Sequence, residues 1–241
     1  MHDLPEVAST NAHAFSLLSK NKPPEGTVIS TFCQTAGRGQ IGSNWESEPG
    51  KNIALSIVLY PVFLEARHQF RLNLALSLAV RDFVERHLAL EVKIKWPNDI
   101  YIGSRKVAGI LVQNVLRGEY IRTTVAGIGI NVNQSVFRSN PPNPTSFLLE
   151  TEQTFELYDL IASLCQCAEQ RYLQLKSGKI VPLQREYVQH LYRYGEPGPY
   201  RRASSGEVFM GTICGIDEAG RLRLGVHGAV ETFDLKEIQF L

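Results

Sequence analysis

Lys95-Trp96-Pro97-Asn98-Asp99-Ile100-Tyr101-Ile102-Gly103-Ser104-Arg105-Lys106-Val107-Ala108-Gly109-Ile110-Leu111 decides how this chain folds. Gly103-Ser104 lies between two β-forming runs and fits a two-residue hairpin turn with glycine at the first central position. Pairing outward from that turn sets Tyr101 opposite Lys106 and Asp99 opposite Ala108. Asp99, Tyr101 and Lys106 then share one sheet face, the carboxylate diagonal to the amine. Just upstream, Val92, Ile94 and Trp96 supply an apolar face, and Lys95, Asn98 and Asp99 interrupt it. Two cations, an amide and a carboxylate beside buried aliphatics point to a polyanionic or carboxylate-bearing ligand. Arg117-Gly118-Glu119 marks another turn before a strand from Tyr120 to Asn131. Successive hairpins make the sheet at least partly antiparallel, so an α+β or mixed architecture is favoured over a doubly wound one.

Outward from this core, Thr27 to Cys33 and Asn52 to Tyr60 read as strands, the second ended by Pro61. Gln34 to Lys51 is too rich in glycine and polar residues for a strand and reads as a long loop, a length that is usually functional or disordered. Arg67 to Leu88 carries two adjoining apolar stripes and predicts a well-buried helix. Asn140-Pro141-Pro142-Asn143-Pro144 predicts a rigid loop, and helices follow at Phe155 to Leu175 and Ile180 to Tyr192, the latter beginning near Pro182. Gly195-Glu196-Pro197-Gly198-Pro199 breaks the chain. Beyond it, Val208 to Ile216, Arg221 to Val226, Ala229 to Phe233 and Ile238 to Leu241 are short, regularly spaced β-runs that predict a small barrel. The expected boundary separates residues 1–194 from 195–241.

The 241 residues suffice for one sizeable core and a small appendage, and 44% hydrophobic with 20% charged residues is an ordinary globular composition. A formal net charge of +1 gives no global field toward nucleic acid or a membrane surface, though it leaves room for a local basic pocket. Cys33, Cys165, Cys167 and Cys214 form no paired framework and read as reduced structural thiols, as expected of a cytoplasmic protein. Neither a leader peptide nor an apolar run of bilayer-spanning length is seen.

Each chemically suggestive segment has an ordinary alternative. Gly37-Arg38-Gly39-Gln40-Ile41-Gly42 has the G-x-G-x-x-G spacing, but a polar run and a strand follow it where a dinucleotide fold needs a helix. It is either a surface loop or a lid whose amides, with Arg38, approach an anion. Lys106 is either a solvated strand lysine or a cation that stabilises a carboxylate and the phosphoryl group it attacks; the small neighbours Ala108 and Gly109 leave room for a ligand. Asp99 pairs with a lysine or helps hold magnesium. Trp96 reads as a core aromatic, whereas Trp45, in a polar loop, is available to pack on a flat ring. Ser9-Thr10-Asn11 is a helix N-cap cluster that can also present polar groups to a ligand. Asn131 and Asn133 are polar ends on an apolar strand. Six histidines show neither metal-ligand spacing nor a nucleophile partner.

Ser9-Thr10-Asn11, Gln34 to Gly39, Trp45, Lys95 to Asp99, Arg105 to Leu111 and Gly127 to Asn131 together resemble the biotin protein ligases, in the order of that family and over nearly the whole chain. The resemblance implies a catalytic domain of the class II synthetase type, a mixed and largely antiparallel sheet with flanking helices, followed by an SH3-like β-barrel. It implies two steps: biotin and ATP, with magnesium, give biotinyl-5′-adenylate, and a lysine of a biotin carboxyl carrier domain then attacks the anhydride. Carried over by position, Ser9, Thr10, Asn11, Gln34, Gly37, Arg38, Gly39, Gln40, Lys106 and Gly109 would bind biotin. Arg38, Trp45, Lys95, Asn98, Lys106 and Asn131 would face ATP or the adenylate. Lys106, Arg38 and Asp99 would carry the catalysis, Asp99 also holding magnesium. No covalent enzyme intermediate is implied, so catalysis rests on positioning and charge.

Two departures stand out. Gln40, Ile41 and Ser43 occupy loop positions where the family often has further basic residues, so retention of the adenylate falls to Arg38 and backbone amides. Ser9 stands near the start, so neither a DNA-binding domain nor a repressor role is expected. The rival readings are a lipoate or octanoate ligase or transferase, whose glycine-rich, histidine-containing motif is not found, and a non-catalytic biotin or adenylate sensor, against which Lys106 argues. Exposed sheet edges would allow a homodimer.

Overall fold

A computed structural model describes residues 1–40, 43–138 and 143–241. Ile41 and Gly42 of the glycine-spaced loop, and Asn140 to Pro142 of the proline-rich one, lie outside the described residues.

The chain runs β1 (His2–Leu4), α1 (Thr10–Lys20), β2 (Thr27–Thr31), β3 (Ile53–Leu59), α2 (Phe70–Leu88), β4 (Val92–Lys95), β5 (Asp99–Ile102), β6 (Arg105–Arg117) and β7 (Tyr120–Ile130). Then come α3 (Phe147–Thr151), α4 (Leu157–Lys176), α5 (Ile180–Gln189) and β8 (Pro197–Arg202). The last strands are β9 (Val208–Ile216), β10 (Leu222–Val226), β11 (Ala229–Phe233) and β12 (Ile238–Phe240). A seven-stranded sheet has the order β1-β2-β3-β7-β6-β5-β4, and β1 with β2 is its one parallel pair. The expected mixed, largely antiparallel sheet with flanking helices is what the chain forms.

Strand alternation explains the layers. Ile53, Leu55 and Ile57 of β3 and Ala126, Ile128 and Ile130 of β7 face the main core, which α2, α4 and α5 cover. The opposite face presents Val58 and Val125, with Ile29 of β2, to Ala14 of α1. Burial on both sides makes β3 apolar or small throughout. Ser9 caps α1, its hydroxyl accepting from the Ala12 amide at 3.5 Å, as its residue type predicts.

The Gly103-Ser104 hairpin closes as predicted, with Gly103 at φ +57° and Ile102 opposite Arg105, Tyr101 opposite Lys106. The register beyond differs from expectation. Asp99 faces Gly109 and Ile100 faces Ala108, because β6 carries one extra residue between Lys106 and Ala108. Val107 and Ala108 are both fully buried, a pair that regular alternation cannot supply and a bulge can.

The C-terminal strands form a five-stranded sheet, β11-β10-β9-β8-β12. The small C-terminal β-domain expected from the sequence is thus present, and among the described residues no pairing joins β11 to β12 to close it. This sheet is tied to the larger one: Trp96 Nε1 donates to the Gly220 carbonyl at 2.8 Å, and Gly220, at φ +86°, lies against the Phe70 ring so closely that a Cβ would overlap it. Among the described residues no helix is long and apolar enough to cross a membrane.

Candidate active site

Register fixes the site. Lys95 of β4, Asp99 of β5, Gly109 of β6, Gly129 of β7 and Ala54 of β3 are successive cross-strand partners, one row across five strands. A second row joins Leu111, Gly127 and Ser56. Four inter-strand steps make the first row about 19 Å long. Charged residues end the row on one side, and glycines and an alanine leave its middle open. Over it lies a cavity of about 330 Å³, roofed by Gln34, Arg38 to Gln40, Ser43 to Glu46 and the start of α1.

At the uncharged end, α1 delivers Thr10 and Asn11, both buried, over Ser56. Ser56 Oγ lies 2.6 Å from Asn11 Oδ1 and 2.7 Å from Thr10 Oγ1. Its single proton serves one of them, so if Ser56 donates to Asn11, the Thr10 hydroxyl is the donor in the other contact. Asn11 Nδ2 donates to Gln113 Oε1 at 2.8 Å, and the Thr10 amide donates to Gln34 Oε1 at 3.0 Å. The cluster is neutral and dense in donors and acceptors, suited to a polar ring without net charge. Gly127 makes it possible, since a Cβ there would overlap the Asn11 amide.

In the middle, the Trp45 indole lies on Gly129 and Gly109, where added Cβ atoms would come within 2.5 Å and 3.1 Å of it. Trp45 Nε1 and Asn131 Oδ1 are buried without a hydrogen-bond partner among the described residues, while Asn131 Nδ2 donates to the Thr145 carbonyl at 2.9 Å. A buried donor and a buried acceptor left unpaired each cost free energy until a ligand meets them.

The charged end holds Lys106, Asp99 and Lys95. Lys106 Nζ is 2.7 Å from Asp99 Oδ1 and 5.7 Å from the Trp45 ring centre. The proline-rich loop holds Lys106 from behind: its amide donates to the Asn143 carbonyl at 2.7 Å, and its carbonyl accepts from the Thr145 amide at 2.8 Å. Lys95 Nζ donates to the Tyr101 hydroxyl at 3.2 Å. Burial pushes the Lys95 ammonium below the ordinary lysine range; Asp99 opposes that, while Lys106 and Arg193 add to it. Burial, then the Asp99 and Tyr192 neighbours, holds the Tyr101 hydroxyl protonated well above its usual range. Among the described residues no group of three or more His, Cys, Asp and Glu comes together. Asp99 therefore fits magnesium only as a single carboxylate, the other oxygens coming from phosphates and water, a donor set typical of that ion.

The family model described as the biotin/lipoate A/B protein ligase family matches residues 4–132, more than half of the chain. This chain belongs to that family. The bifunctional ligase/repressor BirA of Bacillus subtilis (strain 168) is 29% identical over 248 residues, covering 99% of this chain and 72% of the relative. A biotin–[acetyl-CoA-carboxylase] ligase of Mycobacterium tuberculosis is 29% identical over 232 residues, covering 92% of this chain and 82% of the relative. Among solved structures, the biotin protein ligase from Aquifex aeolicus in complex with biotin and ATP superposes with a TM-score of 0.81 at 23% identity, covering 99% of this chain and 97% of that one. At that identity the likeness is one of fold.

Against this family background, the residues singled out in the sequence converge on one cavity. Ser9, Thr10, Asn11, Gln34, Arg38, Gly39, Gln40, Trp45, Lys95, Asp99, Lys106, Gly109 and Asn131 all line it. Gly37 and Asn98 do not. Gly37 is buried beneath Trp45 and Gln34, where a Cβ would meet both. Asn98 spends its amide on the Ile110 carbonyl and on Gln40, whose Nε2 donates to Asn98 Oδ1 at 3.2 Å. Asn98 thus braces the lid loop against β6 from below. Sequence reasoning missed Ser56, Gln113 and Glu46. Ser56 was legible only as a hydroxyl inside an otherwise apolar strand. Glu46 Oε1 accepts from the Arg138 amide at 2.7 Å and from Gln134 Nε2 at 3.2 Å, tying the lid loop to the segment after β7.

Proposed function

We propose that this chain is a biotin–[biotin carboxyl carrier protein] ligase, which activates biotin with ATP and transfers it to a carrier lysine. The observation that carries the reading is the polarity of the cross-strand row: a neutral hydrogen-bonding cluster at one end, unpaired Trp45 Nε1 and Asn131 Oδ1 in the middle, and Lys106, Asp99 and Lys95 at the other. A ligand with an uncharged ring, a carboxylate and an adenine nucleotide meets all three environments when it folds at the carboxylate–phosphate junction, the anionic groups reaching Lys106 and the adenine turning back over the glycines. The Mycobacterium tuberculosis relative is named a biotin–[acetyl-CoA-carboxylase] ligase, and the Aquifex structure holds biotin and ATP.

In the first step a biotin carboxylate oxygen attacks the α-phosphorus of ATP. A carbon-bound oxygen–phosphorus bond forms, the bond to the bridging oxygen breaks, and pyrophosphate leaves with that oxygen. Thr10, Asn11, Gln34 and, through them, Ser56 hold the ring; Trp45 and Asn131 meet the adenine; Lys106 draws the two anionic reactants together and offsets the charge that builds on phosphorus. Asp99 would hold magnesium on the phosphates. Arg38, Gly39 and Gln40 close over the product and exclude water from the anhydride. In the second step the neutral amine of the carrier lysine attacks the acyl carbon and AMP leaves. The units 1–194 and 195–241 are read as catalytic and C-terminal domains, and the protein as a cytoplasmic one that acts on a carboxylase carrier.

Purified protein with labelled biotin, ATP, magnesium and a carrier domain should label the carrier. Lys106→Ala should slow adenylate formation by about a hundred- to a thousand-fold. An unlabelled carrier with the wild type would sink the ligase reading, and equal labelling by the variant would sink the role of Lys106. Replacing biotin by lipoate or octanoate tests the rival acyl groups.

A further inference from the structure

The C-terminal sheet reaches the charged end of the site at two points. Trp96, next to Lys95, donates its indole N–H to the Gly220 carbonyl at 2.8 Å. Phe240, on the last strand of that sheet, places its ring 5.2 Å from Lys95 Nζ, and Tyr101 faces the same ammonium at 5.0 Å. Phe240 is itself seated on Tyr200, edge to face, with ring centres 5.1 Å apart. Lys95 is thus a cation held between two aromatic faces, with one hydrogen bond to a hydroxyl that stays protonated. Its exit toward solvent is limited on both sides.

Position along the row says which anion Lys95 is for. Strand order runs from β3 and β7 under the neutral cluster, through β6, which carries Lys106, and β5, which carries Asp99, to Lys95 on β4, the outermost strand. On the ligase reading above, the carboxylate and α-phosphate meet at Lys106. The part of the nucleotide that lies beyond, toward the sheet edge, is its β- and γ-phosphates. We propose that Phe240 is a positioning residue of the adenylation step: it holds Lys95, through the ring face, where the departing pyrophosphate accumulates charge. Phe240 thereby brings the C-terminal sheet into the first half-reaction, and this contact has no part in the second, in which no pyrophosphate is made.

An aromatic face over a partly desolvated ammonium is worth an amount that converts to about five- to thirty-fold in affinity. Phe240→Leu should therefore raise the KM for ATP in biotin-dependent pyrophosphate exchange by that factor, and the KM for pyrophosphate in the reverse direction likewise. The KM for biotin, and the rate of transfer from preformed biotinyl-5′-adenylate to a carrier, should stay at wild-type values. Phe240→Tyr should restore the KM for ATP. In a Lys95→Met background, Phe240→Leu should add nothing. Pentafluorophenylalanine at position 240 keeps the ring's shape and reverses its quadrupole, so it gives the same readout should the leucine variant fail to fold. An unchanged KM for ATP in an active protein would overturn the clamp alone. So would an equal fall of both half-reactions, which is the mark of a merely structural residue. Failure of the wild type to form adenylate would overturn the ligase reading beneath it.

Discussion

Gly129→Ala asks whether the middle of the cavity is a nucleotide subsite built on a glycine floor. The backbone at Gly129 accepts alanine without conformational strain, since its φ is not positive. The obstacle is space: a Cβ would stand 2.5 Å from Trp45 Cε2, 2.7 Å from Nε1 and 2.8 Å from Cζ2. Ordinary carbon contacts begin near 3.4 Å, so the indole must lift by about an ångström. Trp45 sits on a loop and can move, which spares the fold and displaces the wall that the adenine would meet. Overpacking of this kind costs about 1–3 kcal/mol, which is about five- to a hundred-and-fifty-fold in ATP affinity. Titration calorimetry with biotin and with ATP, separately, reads the result. Gly127→Ala is the reciprocal perturbation, because its Cβ meets the Asn11 amide, with Cγ at 2.9 Å and Nδ2 at 3.1 Å. Gly129→Ala should weaken ATP and spare biotin; Gly127→Ala should do the reverse. ATP binding unchanged within twofold in Gly129→Ala would refute the assignment of the row's middle, and equal losses for both ligands in either variant would refute its polarity.

Other outcomes follow from the same geometry. Ser56→Ala removes the hydroxyl that serves both Asn11 Oδ1 and Thr10 Oγ1, and should weaken biotin binding by about 1–3 kcal/mol with ATP binding unchanged. Calorimetry at matched pH checks it. Burial, with Arg86 adding, holds His87 below its ordinary value of 6.5, and burial with Arg81 does the same at His190 despite Glu186. A depressed imidazole leaves stability intact above the unfolded value and removes it as pH falls toward the folded one. The urea midpoint should therefore drop from about pH 7 to about pH 5, and more shallowly in His87→Gln/His190→Gln; a slope identical to wild type would discount both residues. Gly220→Ala, at φ +86° and against the Phe70 ring, should lower thermal stability by several degrees for about 1–3 kcal/mol, as read by calorimetric unfolding.

How far the sequence carried differs from place to place. The β5–β6 hairpin and the juxtaposition of Asp99 with Lys106 were legible because a glycine turn sets register locally. The bulge was not, although the adjacent buried pair Val107-Ala108 was its trace. β8 was read as a break, since Pro197 and Pro199 lack amide donors. Both precede the stretch Tyr200 to Arg202 that pairs with β12, and on that side Pro199 only accepts, from the Leu241 amide at 3.2 Å, so the missing donors cost no second ladder. The short helix α3 was passed over, though Ser146 caps it by accepting from the Leu149 amide at 3.2 Å. Which residues gather at the neutral end depends on strand order. Ser56 and Asn11 are 45 positions apart, and no local pattern relates them.

The pairing of Lys106 with Asp99 has a consequence for the resting protein. Because Asp99 is tied to the same sheet, it competes for the ammonium at an effective concentration far above that of any free ion. Chloride or inorganic phosphate, arriving alone, gains too little to evict it. A molecule already anchored at the neutral end brings its own carboxylate at a comparable effective concentration and can take the lysine over. The site thereby ignores the anions that are most abundant around it and answers to one that arrives with a recognised body attached.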